Sequence, residues 1–131
     1  MVDPRIAQAQ ALHWQIEGLR AHGAHSATLR ALNRDVARIY EARARELLTN
    51  EDPQGWTDLF AAISHWAEAG EEAASVSLLD WGNRFATRLP EDARHAIRVE
   101  LDGLRAWLHT LTVVPSLAGY ARRLPPLPKA A

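Results

Sequence analysis

Apolar residues recur at steps of three and four along most of the chain, and the recurrence breaks only where proline, glycine or a helix-capping side chain intervenes. A chain patterned in this way buries one stripe per segment as α-helix, because strands would need alternation at every second residue. Asp3-Pro4 reads as a cap and a first-turn proline, followed by Ile6, Ala9, Leu12, Ile16 and Leu19 up to His22-Gly23. Ser26 is placed to cap a second helix with the stripe Leu29, Leu32, Val36, Ile39, Tyr40 and Leu47, ending near Thr49-Asn50. Asp52-Pro53 opens a third helix carrying Trp56, Leu59, Phe60, Ile63 and Trp66, which Gly70 closes. A fourth begins around Glu71 and is apolar nearly all round through Val76, Leu78, Leu79, Trp81, Phe85 and Leu89, so it is expected at the centre of the fold. Pro90 opens a fifth, with Ile97, Leu101, Leu104, Leu108 and Leu111 at bundle spacing, and Pro115 ends it.

The expected architecture is all-α: a compact antiparallel bundle of about five helices over residues 1–114, followed at 115–131 by a short helical turn and an extended proline-rich tail. A chain of 131 residues is long enough for one core without staples. Alanine, leucine, arginine and glutamate dominate it and β-branched residues are few, which favours helix. The expected core comprises Val76, Leu79, Trp81, Phe85, Ile97, Leu101, Leu104 and Leu108. The first helix carries a second row, Ala7, Ala11, Trp14, Gly18 and Ala21, small enough to admit a neighbouring backbone, so that helix is expected between two others. The same row, with the near-cancelled charge, suggests a homodimer. Laying Leu12, Ile16, Gly23, Ala27 and Leu32 over Leu59, Ile63, Gly70, Ala74 and Leu79 gives an offset of 47 residues, the spacing of helical-hairpin repeats. In a chain rich in alanine and leucine, the bundle is the preferred reading.

Cysteine is absent, which excludes a disulfide framework, a thiolate metal site and a cysteine nucleophile. The start Met1-Val2-Asp3-Pro4-Arg5 lacks the order of a signal peptide, and no stretch approaches a membrane span, so a cytoplasmic location is expected. A formal net charge of -1 conceals segregation. Residues 1–45 carry seven arginines against four acids, 46–83 carry eight acids and no lysine or arginine, and 84–131 carry eight bases against four acids.

Four constellations could carry chemistry. His13-Trp14, Gly18 and His25 resemble the opening of the ferroxidase site in the Dps branch of the ferritin-like proteins, which implies a di-iron site. The likeness covers thirteen residues. Where that family continues with acidic ligands this chain has Leu29, Tyr40 and Ala44, so His13 reads as a helix-flank residue and His25 as a turn residue. His65 with Glu68, and Asp92 with His95, stand three apart and could build a metal site between helices. The periodicity instead puts Asp58, His65 and Glu68 on a solvated side, and no metal or cofactor is expected.

Arg30, Arg34 and Arg38 stand four apart on helix two. Arg38 has Asp35 and Glu41 at helical spacing, whereas Arg30 and Arg34 have no such neighbours, so either the acidic segment between Glu46 and Asp80 or an anionic partner must answer them. Nucleic acid is one such partner, but the chain as a whole is not basic. Arg122-Arg123-Leu124-Pro125-Pro126-Leu127-Pro128 follows the order of a proline-rich ligand for an aromatic groove with an acidic pocket. There is no nucleophile elbow and no phosphate-cradling glycine loop.

These features point to a non-enzymatic module of the adaptor, inhibitor, chaperone or assembly-subunit kind, binding a protein partner or itself through Arg30, Arg34, Arg38 and Trp14. The alternatives are a small metal-binding protein or enzyme using His13, His25, His65 or His95, and a nucleic-acid binder using the arginine row.

Overall fold

A computed structural model describes residues 3–23 and 26–113. Within them lie five helices and no strand: α1 (Pro4–Ala21), α2 (Ser26–Thr49), α3 (Gln54–Glu68), α4 (Glu72–Ala86) and α5 (Glu91–Val113). His25 and the proline-rich tail lie outside the described residues. No helix among them is long and apolar enough to cross a membrane.

The turns follow from local chemistry. Asp3 caps α1, its Oδ1 accepting from the Arg5 amide at 2.9 Å, with Pro4 in the first turn. Asp52 Oδ1 accepts from the Gln54 amide at 3.0 Å and steadies the start of α3. Ser26 is already the first helical residue of α2 and not the cap before it. Gly70 ends α3 at φ 78°, where the amides of Gly70 and Glu71 bond back to Ala67 and Trp66 in a Schellman motif. The end of α2 makes the same pair of bonds, from Glu51 to Leu48 and from Asp52 to Leu47, but its left-handed residue is Glu51 at φ 60°.

The centre of the fold is α3, not α4. Among the described residues the backbone of α3 packs against α2, α4 and α5, while that of α4 packs only against α3 and α5. Leu59, Ala62 and Ile63 are fully buried, against Leu78 and Leu79 of α4 and Leu101 of α5. A Cβ at Gly82 would stand 2.8 Å from Leu59 Cδ2 and 3.4 Å from Leu101 Cδ2, so the bare glycine is what lets α4 close onto both neighbours. Val76, expected in the core, is 40% exposed. Trp81 and Phe85 are half-buried, stacked at 5.0 Å between centroids, with the Arg45 guanidinium 4.8 Å from the Trp81 ring. The apolar girth of α4 therefore serves partly as an aromatic cover over the side of α2. The seam of α5 is as expected, with Leu101 and Leu108 buried and Ile97 and Leu104 packed against the core.

The other correction concerns α1, whose backbone packs on α2 alone and is not held between two helices. Only Ala9 and Ile16 of α1 are buried. The small-residue row faces outward, and nothing lies within 4 Å of a Cβ built on Gly18. The 47-residue correspondence is local: Gly23 and Gly70 both take left-handed turns, at φ 69° and 78°. Stacked hairpin repeats would bring α1 onto α3 and α2 onto α4, and neither pair packs through its backbone.

Candidate functional site

Two clusters of polar side chains join the helices, one buried and one half-buried, and both are structural in character. At the first, Arg43 of α2 is buried and donates from Nε to Asp58 Oδ2 at 2.7 Å and from Nη1 to Asp3 Oδ2 at 3.1 Å. Arg5 extends the network from Asp3 to Glu46, with both contacts at 2.7 Å. Burial opposes the charge on Arg43, but its bonds to Asp58 and Asp3 outweigh that and raise its pKa. Bonds from the Arg5 side chain and amide hold the Asp3 carboxyl well below the usual carboxylate range. Asp58 was expected on a solvated face and is buried instead. Ser75, read from the sequence as a cap or surface filler, is also buried and donates to the Ile63 carbonyl at 2.7 Å.

The second place surrounds His65, which is half-buried and not on an open face. Asn33 is buried and donates from Nδ2 to the Leu29 carbonyl at 3.0 Å, which leaves Oδ1 as the acceptor facing His65 Nδ1 at 2.8 Å. With Asn33 oriented in this way, His65 Nδ1 is the donor in that bond. Its ring stacks on Tyr40 at 5.8 Å and meets the His13 ring edge to face at 5.7 Å, the point where α1 reaches α3. Burial, then the nearness of His13 and Arg20, pushes its pKa down to about 4. Among the described residues no three His, Asp or Glu side chains are placed to share a metal ion. His95 is exposed at the start of α5, apart from this cluster.

The arginine row is divided. Arg34 Nε donates to Glu71 Oε1 at 3.2 Å, the long-range pairing with the acidic segment that its helical neighbours could not supply. Arg38 pairs with Asp35 at 3.4 Å. Arg30 is exposed and makes no ion pair among the described residues; its Cδ instead lies 3.3 Å from where a Gly70 Cβ would stand. Glu41, the other neighbour expected for Arg38, accepts from Arg45 at 3.1 Å and from Trp66 Nε1 at 2.9 Å, fixing that indole across the α2–α3 interface.

Trp14 does not join the arginines in one site. It is 79% exposed on the outer face of α1, beside Ala7, Gln10 and Ala11. Trp56 is buried, and Trp66, Trp81 and Trp107 are packed against the core, so Trp14 is the tryptophan without a place in the interior.

A feature that the sequence reading did not assemble lies where the α2–α3 and α4–α5 turns meet. There a cleft of about 320 Å³ is lined by Trp56, Phe85 and Leu89, together with Glu51, Asp52 and Arg88. Trp56 and Phe85 meet edge to face at 6.1 Å, and the Arg88 guanidinium lies 4.6 Å from the Phe85 centroid. The sequence signal was present only as two separate turns, residues 49–53 and 88–90, which no periodicity links.

No protein-family model, no curated protein and no solved structure matches this chain.

Proposed function

We propose that this protein is a non-catalytic docking module that receives a helix of a protein partner on the outer face of α1. The observation that carries this reading is Trp14 at 79% exposure, set in a row of small side chains on a helix supported from one side only. A partner helix can approach closely over Ala7, Ala11 and Gly18, and the Trp14 indole supplies the large, rigid apolar anchor typical of a binding hot spot. Left in water, such a ring exposes apolar surface worth on the order of 2 kcal/mol when covered. The arginine row offers a weaker basis for an anionic partner, since Arg34 and Arg38 already have carboxylates at hand.

The test places a photo-crosslinking amino acid at Ala11 in cells that express the full chain. A discrete protein adduct is expected, and Trp14→Arg should abolish it while leaving the helical content and melting temperature unchanged. An adduct indifferent to Trp14→Arg, or no adduct, means that the α1 face is not a docking surface. A second copy of the chain as the adduct would identify the partner as the protein itself.

A further inference from the structure

We propose that the cleft between the α2–α3 and α4–α5 turns binds the proline-rich segment 122–128 of a second copy of this chain. Three observations meet there. The first is chemical fit: Trp56, Phe85, Leu89, Pro53 and Pro90 give the cleft an apolar, partly aromatic lining. Proline-rich segments bind apolar aromatic grooves at small entropic cost because proline restricts the backbone in advance, and Leu124-Pro125-Pro126-Leu127-Pro128 has that composition.

The second is charge. Glu51 and Asp52 outnumber Arg88 around the cleft, and Arg122 and Arg123 immediately precede the proline run. Asp52 is partly engaged in holding the Gln54 amide, whereas the Glu51 carboxylate has no hydrogen-bond or ion-pair partner among the described residues. Glu51 also occupies a left-handed position, φ 60°, where glycine serves better and where α3 does use a glycine. A carboxylate kept at such a position against its conformational cost suits a role in recognition.

The third is reach, which selects a second copy over the chain's own tail. The cleft includes Pro90, next to the start of α5, and the tail departs from Val113 at the other end of that helix. A helix of 23 residues spans about 33 Å. The eleven residues from Val113 to Leu124 cover about 34 Å only when fully drawn out as polyproline, and a flexible coil of that length averages roughly 18 Å. A chain's own tail would arrive with no slack. Two copies can exchange tails without that constraint, and a reciprocal exchange closes as a twofold dimer.

Sedimentation velocity on the full chain over a wide concentration range tests this. The expected result is a monomer–dimer equilibrium that weakens at high salt. Joint replacement Arg122→Glu and Arg123→Glu should weaken it by roughly tenfold, since it converts two attractions into repulsions. Adding Glu51→Arg to that pair should restore the dimer, which a merely misfolded variant cannot do. Trp14→Ala should leave the equilibrium unchanged, because this cleft is distinct from the α1 face. A chain that stays monomeric at every concentration overturns the proposal. So does a dimer that survives the arginine reversal, or one that Trp14→Ala abolishes. A monomer whose tryptophan emission changes with the arginine reversal would show the tail folding back on its own domain, which overturns the choice of a second copy.

Discussion

Helices α1 and α3 are similar in length and both have a proline at their start and a left-handed glycine after their end, yet they are held by different forces. Helix α3 is gripped by three neighbours through fully buried Leu59, Ala62 and Ile63. Helix α1 rests on one neighbour through Ala9 and Ile16, supplemented by polar attachments: the Asp3–Arg43 and Arg5–Glu46 pairs at its start and the His13–His65 ring contact in its middle. Apolar burial is indifferent to pH and salt, whereas ion pairs and imidazoles are not. The contrast teaches that α1 can loosen under conditions that leave α3 untouched, and α1 is also the helix that displays Trp14.

The largest expected effect tests the central place of α3. Leu59→Ala empties a site with no solvent exposure and should cost about 3 to 5 kcal/mol, close to the whole stability of an ordinary domain. Ile16→Ala should cost less, about 2 kcal/mol, because α1 can shift to fill the gap. Denaturant unfolding of the two variants, with amide exchange to localise the loss, separates them. Equal losses spread over the same amides would dissolve the distinction between the helices.

Next in size is the buried pair Arg43–Asp58. Asp58→Ala leaves the buried guanidinium with only its 3.1 Å bond to Asp3 and should cost about 3 kcal/mol, whereas Arg43→Met combined with Asp58→Leu should recover most of the loss. Chemical denaturation of the single and double variants reads this directly. A double variant as unstable as the single one would mean that the pair contributes more than the absence of an unpaired charge.

Much of this architecture was legible in the sequence, and the reason it was not all legible is physical. The five helices and the left-handed turns at Gly23 and Gly70 follow from caps, glycines and stripes, which act within a few residues. The pairing of Arg34 with the acidic segment was also legible, because the lack of an acid at helical spacing forces a distant answer. The centre of the fold was not. Apolar residues around all of α4 suggest full burial, but Trp81 and Phe85 are large enough to cover surface from a half-buried position, and Val76 is 40% exposed. His65 and Asp58 were misplaced for a related reason. Periodicity sorts side chains by polarity, and a polar residue whose partner sits on another helix, as Asn33 does 32 positions away, registers as solvated. The cleft was invisible because two turns distant in sequence make it.

The third prediction sharpens the contrast through pH. His65 titrates near 4 in the folded protein and near 6.5 when unfolded, so the unfolded chain takes up a proton that the folded one refuses. Stability from this group is therefore complete above about pH 6.5 and is lost as pH falls from there to about 4. Each pKa unit is worth about 1.4 kcal/mol, and screening at a half-buried ring reduces the total to about 2 kcal/mol. Asp3, whose carboxyl is held low, contributes its loss only below about pH 4, so the two windows do not overlap. In His65→Gln the slope between pH 6.5 and 4 should flatten, and amide exchange in the parent should show α1 opening first over that range. A slope that persists in His65→Gln assigns the acid sensitivity to other groups.

The smallest expected effect concerns the two Schellman turns that flank α3. Gly70 fills the left-handed position at one end without strain, while Glu51 fills the same position before the other end at a cost of about 1 to 2 kcal/mol relative to a right-handed conformation. Glu51→Gly relieves that cost but gives the unfolded chain more freedom, about 0.5 to 1 kcal/mol, so the net gain should be only about 0.5 kcal/mol. The sign carries the information. A gain in melting temperature together with a weaker tail-dependent dimer means that Glu51 is kept for its carboxylate at the expense of stability, as the cleft proposal requires. A loss of stability means that the Glu51 side chain supports the turn itself, and its left-handed backbone then needs no functional explanation.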